Sequence, residues 1–317
     1  MPTNNQNQNN QNGPTAMQTL QVFLEFFWVL IQLTYFNIEA IVRWFVPPPK
    51  KSVNGEIVLV TGAGHGIGKE FAMQYAALGA TVIAWDVNEQ NNLKTVKEIN
   101  RLGYPKAYSY VCDVSNREKV FETVEKVRKD VGDITIIVNN AGIMPTHSLL
   151  EHTQKEIEAI FDINVLGHFW IIQAIMPSML KRNHGHIVSI SSCAGLSGLE
   201  NLVPYCASKF AVRGYMEALR MELELIPNCQ VKLTTIYPYM VDTGLCKKPI
   251  IRFAEAMTML TPYEVAATAI DGQMRGVRHV SVPRLYWYMN NYFRMNAEKG
   301  MKAMKEFLGV SLGSDLS

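Results

Sequence analysis

From Glu56 onward the chain predicts an α/β fold, an open parallel sheet with helices on both faces. Three observations carry that prediction. Short apolar runs alternate with longer stretches of helical spacing. The runs are apolar at successive positions, as strands covered on both sides are. The helical stretches stop at glycines, as in "KEFAMQYAALG", which ends on Gly79, and "EKVFETVEKVRKDVG", which ends on Gly132.

The elements follow in order. Residues 3–13 (TNNQNQNNQNG) are a polar low-complexity tract that cannot bury a core, so residues 1–16 are expected to be a disordered tail. Residues 17–47 are an expected hydrophobic membrane-anchor helix, with "LQVFLEFFWVLIQLTYFNIEAIVRWFV" from Leu20 to Val46. It exceeds the roughly 20 residues a bilayer span needs. It lacks the basic start of a cleaved signal peptide and lies too far from the N-terminus for one. Gln18, Gln21, Glu25 and Gln32 share one helical face, and an ionised Glu25 at mid-bilayer would cost about 2.5–3.5 kcal/mol. Three placements therefore stay open: a spanning or hairpin anchor, an amphipathic helix in the membrane plane, and a soluble helix packed on protein. Arg43, Lys50 and Lys51 follow the segment and no Lys or Arg precedes it, which puts the C-terminal side in the cytosol. "PPPK" at 47–50 stops the helix and opens a linker, 48–55.

Seven runs then read as strands: "EIVLVTG", "TVIAWD", "AYSYVCD", "ITIIVNNAG", "HIVSISS", "VKLTTIYP" and "HVSVP". They define a domain over 56–285. Residues 286–317 are a C-terminal extension with an aromatic patch, "LYWYMNNYFRM" starting at Leu285, suited to a membrane or dimer contact; from Gly309 on it is expected to be loose.

Composition removes several function classes. A net charge of +2 gives no reason to expect nucleic acid. Five cysteines, none in a CxxC pair, argue against a disulfide framework or a zinc site and for a reducing compartment. The seven His show no metal-ligand spacing, so no metal is expected. No Asn-x-Ser/Thr acceptor occurs.

The glycines after the first strand carry the first chemistry. Gly62, Gly66 and Gly68 form GxxxGxG, with Gly64 inside it and His65 and Ile67 between. Such a loop lets the backbone approach a pyrophosphate at a helix N-terminus. Asp86 ends the second strand, 24 residues after Gly62. An acid there accepts hydrogen bonds from ribose hydroxyls and repels a 2′-phosphate, so the stretch predicts NAD rather than NADP.

The second chemistry lies in "HIVSISSCAGLSGLENLVPYCASKF". Tyr205 and Lys209 are one helical turn apart on one face. An ammonium near a phenol favours the phenolate, which can exchange a proton with an alcohol as hydride moves. Ser192, at a strand end, can hold the substrate oxygen. Ser189 and Ser191 read as strand residues, and Cys193 and Cys206 as packing.

Together TGAGHGIG, Asp86, NNAG at 139–142, Ser192 and YCASK resemble the short-chain dehydrogenases/reductases. The resemblance spans about residues 54–285. It implies a Rossmann, doubly wound, seven-stranded parallel sheet, an NAD(P) cofactor and catalysis by Ser192, Tyr205 and Lys209, with Asn164 positioning a water in a proton relay. It also implies cofactor contacts from Asp113 and Val114 at adenine, from Asn140, Ala141 and Gly142, from Pro238 and Thr243, and from Tyr205 and Lys209 themselves. One position departs from the family: Tyr239 stands where a glycine usually follows Pro238, which is expected to reshape the nicotinamide end of the pocket.

The anchor, "AWDVN" and "SSCAGLSGL" are similar to the membrane- and lipid-droplet-associated branch, which includes epidermal-type retinol dehydrogenases and lipid-droplet 17-beta-hydroxysteroid dehydrogenases. That implies NAD-dependent oxidation of retinol, a steroid or a long-chain alcohol at the endoplasmic reticulum or a lipid droplet, with the catalytic domain facing cytosol, and a homo-oligomer, most simply a dimer. A carbonyl reductase of the same fold and a droplet scaffold without turnover are the rival readings. Between Gly244 and Pro262, apolar residues mixed with Lys247, Lys248 and Arg252 are expected to form a lid over the substrate, facing lipid.

Overall fold

The computed structural model describes residues 16–245, 249–251, 258–294, 300 and 310–316. The polar tail before residue 16 and the lid residues Lys247, Lys248, Arg252, Phe253 and Met257 lie outside the described residues. The chain divides into two compact units, one up to Pro49 and one from Lys50 onward.

The first unit is helix α1, Ala16–Phe45. At 1.5 Å per residue it is about 45 Å long. Its length and composition over Ala16–Arg43 suffice to cross a membrane. Its polar groups pair along the helix: Gln21 Nε2 donates to Glu25 Oε1 at 2.8 Å, Glu39 pairs with Arg43 at 2.6 Å, and Thr34 Oγ1 donates to the Leu30 carbonyl. Each pair reduces the exposed charge or hydrogen-bonding capacity that an apolar surrounding would penalise.

The second unit opens with β1 (Ile57–Thr61), α2 (Gly66–Ala77), β2 (Thr81–Asp86), α3 (Glu89–Arg101), β3 (Tyr108–Val111), α4 (Arg117–Asp130) and β4 (Ile136–Asn139). It continues through α5 (Gln154–Phe161), a π-helical turn (Asp162–Leu166), α6 (Gly167–Arg182), β5 (His186–Ile190), α7 (Val203–Glu224) and β6 (Lys232–Pro238). It ends with β7 (Pro249–Ile251), α8 (Pro262–Met274), β8 (His279–Val282), α9 (Leu285–Arg294) and β9 (Val310–Leu312). All seven predicted strands are present. They form one parallel sheet in the order β3-β2-β1-β4-β5-β6-β8.

The doubly apolar strands are explained by two cores. Val58, Val60, Val82, Ala84, Val138 and Val188 face one layer, where Phe71 and Tyr75 of α2 and Ala266 and Ile270 of α8 cover them. Leu59, Ile83, Trp85, Ile137 and Ile187 face the other, under Val120 and Val124 of α4, Ile171 and Ile175 of α6 and Met216 of α7. The period of two along each strand thus feeds both faces. The segment Gln154–Arg182 is also long and apolar enough to span a membrane, but it is a core segment, with Ile160, Ile171, Ile175 and Met179 fully or almost fully buried.

Helix starts follow capping rules. Asn88 and Asn116 accept from the backbone N–H groups of Asn91 and Lys119, and Thr153–Glu156 and Thr261–Glu264 form capping boxes. The C-terminal segment corrects one expectation. Rather than being loose, Val310–Leu312 pairs antiparallel with Pro249–Ile251, and Asp315 exchanges hydrogen bonds with the backbone of Thr146. Order there comes from backbone pairing between distant segments, which local composition does not reveal.

Candidate active site

The sheet order reverses between β1 and β4, and a cavity of about 1070 Å³ opens at the carboxyl ends of the strands. That is the usual ligand crevice of an open α/β sheet.

Its floor is the loop from β1 into α2. Gly62 and Gly66 hold φ of +65° and +55°, which side-chain-bearing residues rarely adopt. A Cβ at Gly68 would sit 2.0 Å from the Gly62 carbonyl oxygen, so α2 can approach the loop only with glycine there. Gly68 therefore shapes the cradle from behind and does not line the cavity, whereas Gly62, His65, Gly66 and Ile67 do. The β1 end is tied down from the next strand. Thr61 Oγ1 accepts from the N–H groups of Asn140 and Ala141, and Asn140 Nδ2 donates to the Thr61 carbonyl at 2.8 Å. Asn140 thus braces the glycine loop as well as facing the cavity.

Asp86, half-buried at the end of β2, accepts from Gly64 N–H and Asn88 N–H, each at 2.8 Å. Asn88, not Asp86, caps α3. The carboxylate fixes the loop and presents its charge to the cavity beside Val87. Asp113, Val114, Ala141 and Gly142 line the same side, and Pro238 and Thr243 close it. A cradle bare of side chains at a helix N-terminus, with an acid at the far strand end, fits a dinucleotide whose ribose hydroxyls meet Asp86.

The other half is built on β5 and α7. Ser192 follows β5, and its Oγ accepts from Ala194 N–H at 3.1 Å, opening a 3₁₀ turn, Cys193–Gly195. That turn lies against α7: a Cβ at Gly195 would fall 2.4 Å from Ser191 Oγ and 2.6 Å from the Lys209 carbonyl oxygen. Ser191 Oγ donates to that carbonyl, and Tyr215 OH donates to Ser189 Oγ. Ser189 lies in β5 as expected and Ser191 just beyond its end, and together they tie that strand to α7 through hydrogen bonds.

Tyr205 and Lys209 face the cavity from the first turns of α7. Lys209 Nζ lies 5.6 Å from the centre of the Tyr205 ring and donates to the Ile190 carbonyl at 2.9 Å. The Lys209 side chain is buried, and burial pulls its pKa down to about 8. Asn164, in the π-turn, is fully buried just behind the cavity wall rather than on it. It accepts from Ile143 N–H at 2.9 Å and donates to the Ile143 carbonyl and to Ser208 Oγ. Its side chain therefore locks the segment after β4 to α7.

Several lining residues were not singled out in the sequence. Met144, Leu199, Leu202, Met240 and Tyr286 give the far end of the cavity an apolar wall. Tyr239 joins them, its ring 6.1 Å from that of Tyr286. The Tyr205 end of the cavity thus continues into a greasy chamber. Cys193 and Cys206 are buried in its wall, with the Cys193 thiol pushed well up by burial. Folding also assembles a group that the reading of His spacing passed over. His147, His152 and Glu156 hold ligand atoms within 4.8 Å of one another, across a 3₁₀ turn and the start of α5. Two neighbouring histidines on one helix would have signalled it; five residues spanning a turn did not.

Comparison with known proteins agrees with this construction. The short chain dehydrogenase family profile matches residues 56–250. Human 17-beta-hydroxysteroid dehydrogenase 13 is 40% identical over 276 residues, covering 87% of this chain and 90% of its own. Bovine short-chain dehydrogenase/reductase family 16C member 6 is 35% identical, covering 92% and 93%. Mouse estradiol 17-beta-dehydrogenase 11 is 36% identical, covering 92% and 96%. A short chain dehydrogenase/reductase from Burkholderia phymatum, solved with NAD, shares the fold at TM-score 0.70 and 24% identity, covering 77% of this chain and 94% of its own. A metagenomic short-chain oxidoreductase solved with NADP gives TM-score 0.62 at 25% identity, covering 73% and 97%.

Proposed function

The chain belongs to the short-chain dehydrogenase family, and from that premise we propose that it oxidises a lipophilic alcohol with NAD while held at a membrane or lipid-droplet surface. One observation carries the reading. A single cavity joins the glycine cradle and Asp86 to Ser192, Tyr205 and Lys209, and continues into a wall of Met144, Leu199, Leu202 and Met240.

Nicotinamide, when bound, supplies the hydride acceptor. The protein's own groups do the rest. Ser192 Oγ holds the substrate oxygen next to the Tyr205 phenol. Tyr205 takes the hydroxyl proton as general base. The buried Lys209 ammonium, fixed by the Ile190 carbonyl, favours the phenolate from one turn below. Asn164 keeps the Ile143–Met144 wall and α7 in register, so it supports the proton path by position. Asp86 selects NAD by repelling a 2′-phosphate; a neighbouring fold that binds NADP makes this choice the first to test.

The apolar chamber and relatives named for 17-beta-hydroxysteroids support a steroid, retinol or long-chain alcohol as substrate. Helix α1, with Arg43, Lys50 and Lys51 after it, supports an anchor at the endoplasmic reticulum or a droplet with the catalytic unit in the cytosol. A homodimer is proposed on the family resemblance alone.

The test is NADH production by the full chain in liposomes, with hydroxysteroids, retinol and long-chain alcohols as substrates and Tyr205→Phe as the blank. A Tyr205-dependent signal with one class is expected. A clear preference for NADPH-driven carbonyl reduction would reverse the proposed direction, and no turnover with NAD still bound would favour the scaffold.

A further inference from the structure

The region between β4 and α5 carries polar groups that the reaction does not use. His147 is buried, and all four ring nitrogens of His147 and His152 are shielded from solvent with no hydrogen-bond partner. The two rings lie face to face, centroids 3.9 Å apart and planes tilted by 36°. Glu156 stands beside them. Its Oε2 is 3.4 Å from His147 Nε2, within ion-pair range. The same oxygen accepts from Thr153 N–H and Oγ1, which fixes the carboxylate in place.

From this geometry we propose that His147, His152 and Glu156 form a zinc site that clamps the pocket wall. Neutral imidazoles and a carboxylate are the donors zinc takes, and three of them with a water complete a tetrahedron. Bonds of about 2.0–2.2 Å put the ligand atoms of such a site about 3.3 Å apart. Here the three ligand atoms lie within 4.8 Å of one another and one pair is already at 3.4 Å, so rotation of the imidazoles closes the set. A cation would also satisfy ring nitrogens that the protein leaves without partners. The hydrogen bonds that Glu156 takes from Thr153 supply the outer shell that orients a metal ligand.

The place gives the ion a purpose. Met144, three residues before His147, lines the substrate chamber, and Thr146 is bonded to Asp315 of the C-terminal segment. Zinc would join both ends of residues 147–156 and stiffen the wall carrying Met144. It touches no reacting atom, so its effect falls on substrate affinity and stability and leaves the proton chemistry to Tyr205.

The experiment uses tag-free full chain in detergent, stripped with chelator and titrated with zinc. We expect about one zinc retained per chain after dialysis, a cobalt-substituted form with visible bands of a tetrahedral site, and a melting temperature that rises with zinc. His152→Asn and Glu156→Gln should each weaken retention at least tenfold, whereas His184→Asn, an exposed histidine paired with Glu56, should not. Failure of the wild type to retain zinc, or retention by His147→Asn and His152→Asn equal to that of the wild type, overturns the proposal. Should a variant lose NAD binding and so its fold, the wild type decides alone.

Discussion

The two ends of the cavity are built from different material. At the β1–α2 end the surface is mostly backbone: glycines with positive φ, N–H groups tied to Asp86, and a helix approach that tolerates no side chain at Gly68. At the far end the surface is side chain: Met144, Leu199, Tyr239, Met240 and Tyr286, brought from four separate stretches of the chain. A backbone cradle is set by a few residues with no substitutes. A side-chain chamber can change residue by residue while keeping its volume and greasiness. One fold can therefore hold a fixed cofactor and vary its substrate.

The sharpest break of that comparison falls on the seam between the two ends. Tyr205→Phe removes one oxygen and leaves the cradle untouched. Turnover is expected to fall about 10²–10⁴-fold, the range for general acid–base groups. NADH binding, followed by fluorescence titration, should stay within a few-fold of wild type. An equal loss of both would mean that Tyr205 serves the cradle and that the two ends are not separable.

Gly68→Ala attacks the backbone end. Its methyl would meet the Gly62 carbonyl oxygen at 2.0 Å, a backbone atom that cannot swing aside. Relief must move α2 or the loop, at a cost of about 1–3 kcal/mol, or roughly 5–150-fold in NAD affinity. Gly214→Ala in α7, where a Cβ meets nothing within 4 Å, is the control and should bind NAD normally.

How far each region was legible in the sequence follows the same division. The seven strands could be read because burial on both faces demands apolar residues at successive positions. The glycine loop and Asp86 could be read because backbone geometry restricts residue type at fixed spacing. Tyr205 and Lys209 share a helix, so their proximity is local. Asn164 could be read as a site residue, but its hydrogen bonds to Ile143 and Ser208 become visible only once the π-turn is folded. The apolar chamber escaped notice beyond Tyr239, because no period or spacing links Met144 to Leu199 or Tyr286. His147, His152 and Glu156 escaped for a similar reason, since a 3₁₀ turn followed by a helix cap brings them together.

Asp86→Ser tests how much of the cofactor choice rests on one side chain. Removing the carboxylate removes repulsion of a 2′-phosphate, and the preference for NAD over NADP should drop by about tenfold, near 1.4 kcal/mol. NAD affinity itself should fall slightly as well, because Gly64 and Asn88 lose their acceptor. Comparing kcat/KM for the two cofactors reads the ratio. An unchanged ratio would place the discrimination elsewhere in the loop, with His65 the next candidate.

The smallest effect is expected at the side-chain end, and it is the most informative about substrate. Tyr239 packs against Tyr286 and fills space that a glycine would leave open. Tyr239→Gly should enlarge the chamber without touching Ser192, Tyr205 or the cradle. For a substrate that contacts the ring, the loss of buried apolar area is about 1 kcal/mol, so KM rises roughly fivefold with kcat nearly constant. For a bulkier alcohol the added room lowers KM instead. The sign of the change across a series of alcohols thus measures how closely the natural substrate fills the chamber. A uniform fall in kcat for every alcohol would show instead that Tyr239 belongs to the cofactor end, and the division between a backbone cradle and a replaceable chamber would have to be redrawn at Pro238.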